Sequence, residues 1–177
     1  YETAMVLAPN GDVLSLEPQG STNTRRLRRR DGSDGRVLVR SSVPIPGFTN
    51  TAPRLFSGAL GLYAATVSTD PYRVDLHLVN DEDGTIVWSK QLEPPELPQG
   101  FVAANGDLVA RMGDRVERLN PGTGEPLWTV KVSPESSIVA RGTDVLVMNP
   151  ASFLRLDGAD GRILASRPLP EDSWCAG

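Results

Sequence analysis

A segment built around one glycine recurs four times in this 177-residue chain, and no other feature of the sequence restricts its fold so strongly. The copies are RRLRRRDGSDGRVLVRSSV, VDLHLVNDEDGTIVWSKQL, RVERLNPGTGEPLWTVKV and SFLRLDGADGRILASRPL. They are anchored on Gly35, Gly84, Gly124 and Gly161, at separations of 49, 40 and 37 residues. Four residues before each anchor stands Asp31, Asn80, Asn120 or Asp157, and one before it stands Asp34, Asp83, Thr123 or Asp160. Four residues after it come Val39, Trp88, Trp128 and Ala165. Asp and Asn side chains accept hydrogen bonds from backbone two residues on, and glycine takes a positive φ that other residues resist. The pattern therefore closes a tight hairpin. The flanks alternate in polarity, as in VDLHLV and RILASRPL, which is the period of a strand.

Two further strand-like segments precede each hairpin: TAMVLAPNG and DVLSLEP in the first unit, GFVAANG and DLVARMGD in the third, SSIVARG and DVLVMNP in the fourth. RLFSGALG and LYAATVSTD fill the same places more loosely in the second. Each unit is thus four short antiparallel strands in about 40 residues, the size and strand count of a propeller blade. The expected fold is all-β, a β-propeller segment of four blades spanning 1–177. Its blades run approximately over 1–45, 46–96, 97–133 and 134–170, followed by a tail at 171–177. Trp88 and Trp128, at the start of the fourth strand, are placed to fill the gap between one blade and the next. Asp31, Gly35, Asn80, Gly84, Asn120, Gly124, Asp157 and Gly161 are expected to be structural turn residues.

RLNPGTGEPLWTVKV resembles the quinoprotein-type (PQQ-like) repeat, whose pattern runs A-x-D/N-x-x-T-G-x-x-x-W and whose tryptophan docks blade to blade. Asn120, Thr123, Gly124 and Trp128 match it position by position, and Asn80, Gly84 and Trp88 match in the second unit. The other two units keep Asp31 with Gly35 and Asp157 with Gly161, but have Val39 and Ala165 in place of the tryptophan. The usual small residue two before the Asp or Asn is Arg29, Leu78, Arg118 or Arg155 here, a further departure. The resemblance implies a ring of seven or eight blades. This chain is then expected to be part of a larger propeller, with the other blades on another chain or elsewhere in a longer one.

Proteins similar in this repeat include quinone-dependent dehydrogenases, BamB-like outer-membrane assembly scaffolds and extracellular sensor domains, and fold alone does not choose among them. The expectation drawn is a non-catalytic, protein-binding scaffold of the BamB-like type, extracytoplasmic and part of a larger assembly. The alternatives are a fragment of a PQQ-dependent dehydrogenase or a ligand-sensing ectodomain. A quinone enzyme needs Ca²⁺ on hard oxygen ligands, a carboxylate base and, in the alcohol enzymes, a cysteine pair. Here the single cysteine is Cys175 and the acids fall mainly in turns. No catalytic, cofactor-binding or metal-binding residue is therefore assigned, and Ca²⁺ or PQQ enters only with the dehydrogenase alternative.

Charge singles out one strip. The formal net charge is -4, yet residues 25 to 40 hold seven of the 18 basic residues, leaving 11 basic against 20 acidic elsewhere. On a strand, Arg26, Arg28 and Arg30 share one face, with Arg25, Leu27 and Arg29 on the other. Arginines on both faces suggest a blade that is poorly covered or that meets an acidic partner. Arg26, Arg28 and Arg30 are accordingly the candidate partner-binding residues; the acidic remainder opposes binding of nucleic acid, and a membrane is expected to be met only by association. The turns DGSDG, NDEDG and DGADG look like calcium loops. NPGTG holds the same position without their charges, so turn chemistry accounts for all four.

His77 is the only histidine and is expected to be structural. No G-x-S-x-G elbow, phosphate loop or 18-residue apolar run is present. Trp174 and Cys175 suit the first strand of a following blade, with an intermolecular disulfide as the alternative. A chain opening on Tyr1 reads as a mature product or a piece of something longer.

Overall fold

The computed structural model describes residues 4–18, 24–41, 44–46, 52–69, 71–93, 96–103 and 105–169, so Trp174, Cys175 and the tail lie outside the described residues. Four antiparallel sheets follow one another along the chain, each with its strands in sequence order. The first holds β1 (Ala4–Leu7), β2 (Val13–Pro18), β3 (Thr24–Arg30) and β4 (Val37–Arg40), and the short β5 (Ile45–Pro46) pairs with the start of β3. The second holds β6 (Arg54–Gly58), β7 (Gly61–Thr69), β8 (Tyr72–Val79) and β9 (Ile86–Gln91). The third holds β10 (Gln99–Val102), β11 (Leu108–Met112), β12 (Arg115–Leu119) and β13 (Pro126–Lys131). The fourth holds β14 (Ser137–Arg141), β15 (Asp144–Asn149), β16 (Ser152–Asp157) and β17 (Ile163–Pro168). The expected all-β propeller of four-stranded blades is the fold observed.

The repeated turn explains why each sheet closes as it does. In all four units the first Asp or Asn side chain accepts from the backbone N–H two residues on: Asp31 from Ser33, Asn80 from Glu82, Asn120 from Gly122 and Asp157 from Ala159, each at 2.8 Å. A second side chain repeats the device toward the strand that follows, with Asp34, Asp83 and Asp160 accepting at 2.8–2.9 Å and Thr123 at 3.3 Å. The anchor glycine then takes φ between 73° and 77°, where a β-carbon is strained. A register shift follows in every copy, between Arg29 and Arg30, Leu78 and Val79, Arg118 and Leu119, and Arg155 and Leu156.

The sheets stand beside one another around an arc. β1 lies against β6, β6 against β10, and β10 against β14; among the described residues no contact of similar extent joins β14 back to β1. Three apolar cores lie between the four blades. Leu14, Leu16 and Leu27 meet Leu62, Ala64 and Val79 in the first seam. Tyr63, Leu76 and Leu78 meet Leu108, Met112 and Leu119 in the second. Val109, Val116 and Trp128 meet Val145, Val147 and Leu156 in the third. Each fully buried Leu or Val contributes about 1.5–3 kcal/mol, so the seams supply most of the apolar burial.

Pairing lines up one rung of four residues across each blade: Val6–Leu14–Arg29–Val39, Phe56–Tyr63–Leu78–Trp88, Phe101–Val109–Arg118–Trp128 and Val139–Leu146–Arg155–Ala165. Each of the first three rungs faces the following blade. In the second and third rungs the docking tryptophan meets the next anchor glycine: a β-carbon on Gly124 would lie 2.9 Å from the Trp88 ring, and one on Gly161 would lie 2.9 Å from the Trp128 ring, whereas one on Gly84 would meet Ser41. The corresponding position at Gly35 has nothing within 4 Å.

That contrast separates two costs. Gly35→Ala should carry only the positive-φ penalty, about 1–2 kcal/mol, whereas Gly124→Ala adds displacement of the Trp88 ring. Urea unfolding should place Gly124→Ala below Gly35→Ala by roughly 1–3 kcal/mol; equal losses would mean that ring docking adds nothing.

Candidate functional site

The basic strip is β3, and the two faces of that strand have different fates. Arg25 and Leu27 are buried in the first seam, where the Nη1 of Arg25 donates to the Leu16 carbonyl at 3.5 Å. Arg29 shares their face, donating from Nε to Asp12 at 2.7 Å and approaching Asp81 of the second blade at 3.7 Å. The expectation that arginines on both faces leave the blade poorly covered is thus corrected for this side, because the second blade covers it.

Arg26, Arg28 and Arg30 lie together on the opposite, outward face. They pair in register with Glu17, Ser15 and Val13. Glu17 holds Arg28 at 2.7 Å and Arg30 at 3.9 Å, so one carboxylate stands among three guanidinium groups. Arg40 lies opposite Arg28 and is exposed, while Met5 and Leu7, on the neighbouring β1, are both 68% exposed. In the other three blades the residue before the turn, Val79, Leu119 or Leu156, is buried against the preceding blade; here it is Arg30.

The seams hold a second polar device that sequence reading missed. Arg29, Arg118 and Arg155 donate through Nε to Asp12, Asp107 and Asp144 at 2.7, 2.6 and 2.6 Å. Each Asp ends the hairpin between the first two strands of its blade. The Arg29 guanidinium, through its hydrogen bond, holds the Asp12 carboxyl below its ordinary value. The second blade lacks both partners and has Leu78 and Gly61 instead, and the Leu78 side chain comes within 3.4 Å of where a Gly61 β-carbon would sit. The presence or absence of both members together in each repeat was the available signal. Across the third seam Arg118 also donates from Nη1 to the carbonyl of Gly158, which accepts from the Trp128 indole at 3.0 Å as well. Trp88 donates likewise to the Pro121 carbonyl at 2.8 Å.

A cleft of about 360 Å³ opens beside that third seam, between Phe101, Val109, Arg118, Val145 and Gly158. The Arg118 groups named above already engage Asp107 and Gly158, so the cleft is part of the seam. Among the described residues no group of three or more His, Cys, Asp or Glu is placed to hold a metal ion.

His77 sits buried at the centre of a chain of hydroxyls. Thr66 donates from Oγ1 to the Pro46 carbonyl at 3.1 Å, which commits its proton. The Nε2 of His77 then donates to Thr66 at 3.1 Å, and Ser89 donates to Nδ1 at 2.7 Å. The chain links β9, β8, β7 and β5, and so ties the second blade to the end of the first. Burial lowers the pKa of His77, with Asp75 opposing and Arg73 adding to the shift.

The family model described as outer membrane protein assembly factor BamB matches residues 73–170. No curated protein matches the sequence. Among solved structures the chain is similar to BamB from Moraxella catarrhalis, at 14% identity and a TM-score of 0.61, covering 94% of this chain and 52% of that one. It is similar to a protein from Lactobacillus plantarum at 11% identity and a TM-score of 0.59, covering 95% and 56%. It is also similar to hydrazine synthase from Kuenenia stuttgartiensis at 13% identity and a TM-score of 0.56, covering 93% and 48%. These likenesses are of fold, and the chain spans about half the length of each.

The histidine makes stability depend on pH with a defined sign. The unfolded chain takes up a proton near the ordinary value of 6.5, whereas folded His77 does so only at lower pH. Its contribution is therefore full above about pH 6.5 and lost as pH falls. Urea unfolding at pH 7.5 and 5.5 should show wild type losing stability on acidification and His77→Gln losing less of it. Equal losses in both would remove His77 from the account.

Proposed function

We infer a protein-binding role from the premise that this chain belongs to the family described as outer membrane protein assembly factor BamB. An assembly factor acts by holding other proteins, and a propeller suits that task because rigid sheets fix the faces and loops that meet a partner. The chain is read as a non-catalytic scaffold segment of a larger propeller working outside the cytoplasm. Its partner is a protein with an acidic surface.

The observation that carries this reading is the outward face of the first blade. Arg26, Arg28 and Arg30 stand side by side on an otherwise acidic chain, and Glu17 is the carboxylate that faces them within the blade. Arg30 occupies a place that the other blades give to a buried apolar residue. A guanidinium row of this kind suits carboxylates, which it binds with paired N–H donors. Such a surface steers an acidic partner into encounter and loses strength as salt screens it, the Debye length being about 8 Å at physiological ionic strength.

A decaglutamate peptide serves as the probe, with a heparin fragment of similar charge beside it. The wild-type chain should bind the peptide with an affinity that falls as salt rises. Arg26→Glu/Arg28→Glu/Arg30→Glu should weaken it by roughly tenfold or more and flatten the salt dependence. The neutral variant Arg26→Gln/Arg28→Gln/Arg30→Gln, with circular dichroism confirming the fold, should fall between the two. Unchanged affinity in both variants would sink the proposal, and stronger retention of heparin than of the peptide would move it to polyanions in general.

A further inference from the structure

The second and third seams share one plan but are filled differently beside the hairpins that join the first two strands of each blade. In the second seam three side chains close that space. Tyr63 is fully buried and donates from its hydroxyl to the Gly106 carbonyl of the next blade at 2.8 Å. Leu60 lies over Gly106, where a β-carbon would come within 2.8 Å of it, and Val102 packs against Gly58 so closely that a β-carbon there has no room. Strand pairing identifies the counterparts of these three in the next seam. Val109 holds the rung position of Tyr63, Gly106 the hairpin position of Leu60, and Ala140 the strand-end position of Val102. Each replacement is smaller than the residue it replaces.

The cleft of about 360 Å³ beside the third seam is the space those replacements leave. Ala103, one of its lining residues, carries a β-carbon at the place where Gly58 can carry none. Arg118 is longer than its counterpart Leu78, but Asp107 and the Gly158 carbonyl draw its guanidinium aside, so it flanks the cleft. The volume falls at the lower end of the roughly 300–1,000 Å³ of small-ligand pockets and admits a single ring. Apolar walls give water few partners and favour an apolar occupant.

The acceptor that Tyr63 uses has a counterpart as well. Thr143 holds the hairpin position of Gly106 and lines the cleft, and its carbonyl lies against Gly158, another lining residue. The guanidinium plane of Arg118 suits the face of an aromatic ring. Apolar walls, a flanking guanidinium and a turn carbonyl are the surroundings of a phenol.

We propose that this cleft binds a phenol ring from outside, in the place that Tyr63 fills from within one seam earlier. The ring would lie among Phe101, Val109 and Val145 beside Arg118, and its hydroxyl would donate to the Thr143 carbonyl. A free phenolic compound and a tyrosine side chain carried by a partner polypeptide present the same chemistry to the site. The assignment is independent of the acidic-partner reading, which concerns the first blade.

The test titrates the full chain with p-cresol, which is the tyrosine side chain as a free molecule, and with toluene, which lacks the hydroxyl, using ligand-observed NMR. The phenol should bind, and toluene should bind roughly threefold or more weakly, by the worth of one hydrogen bond. Val109→Tyr restores the filling of the second seam and should abolish p-cresol binding. Ala140→Val narrows the cleft more gently and should weaken binding by roughly threefold or more, so the loss of fold in one variant, read by circular dichroism, leaves the other to decide. A capped Gly-Tyr-Gly peptide separates the two sources: binding as tight as that of p-cresol assigns the site to a polypeptide tyrosine, and exclusion of the peptide while p-cresol binds assigns it to a free phenol. Failure of p-cresol to bind, equal binding of toluene, or undiminished binding in the folded variants would overturn the proposal.

Discussion

Contact between neighbouring sheets holds this protein together, because a single four-stranded sheet has no second layer of its own. Both faces of β7 and β11 are buried, one against the preceding blade and one against the following blade. Register becomes decisive under that constraint, since a slip of one residue would exchange the two faces of a strand. The repeated turn fixes register locally: its side-chain hydrogen bonds and positive-φ glycine allow the two strands only one alignment. Turn chemistry and seam packing are therefore one requirement expressed at two scales.

Two solutions to seam polarity coexist in the chain. Where Trp88 docks, the rung is apolar and Leu78 stands over Gly61. Where Arg29 or Arg155 stands in the rung, an Asp at the tip of the first hairpin orients it, and Val39 or Ala165 takes the tryptophan position. The third blade uses both, and Arg118 and Trp128 share the Gly158 carbonyl. A carbonyl next to a turn is a good target for either donor, because the turn leaves it unpaired within its own sheet and burial makes an unmet acceptor costly.

The legible part of the sequence was the local part. Asp31, Asn80, Asn120 and Asp157 declare their hydrogen bonds within two residues, and Trp88 and Trp128 follow the spacing of a known repeat. The Arg–Asp pairs were not legible at the level of one repeat, because their members lie 17 or 11 residues apart on different hairpins. Only comparison across repeats shows Arg and Asp present together and replaced together. The alternation of β3 correctly separated Arg26, Arg28 and Arg30 from Arg25 and Arg29. It could not say which side a neighbouring blade would cover, since that depends on sheet order around the arc. The hydroxyl chain through His77 was equally hidden, because it gathers Pro46, Thr66 and Ser89 from three other strands of two blades.

The seams also set an order among the blades. Among the described residues the second and third are clamped on both sides and the first and fourth on one, so these four blades taken by themselves behave as a short stack with weaker ends. Thermal fluctuations would open it from its outer sheets inward, as a row of books loosens first at the covers. Whatever closes over the fourth sheet changes that hierarchy, converting a terminal layer into an interior one and moving the site of first opening to the other end.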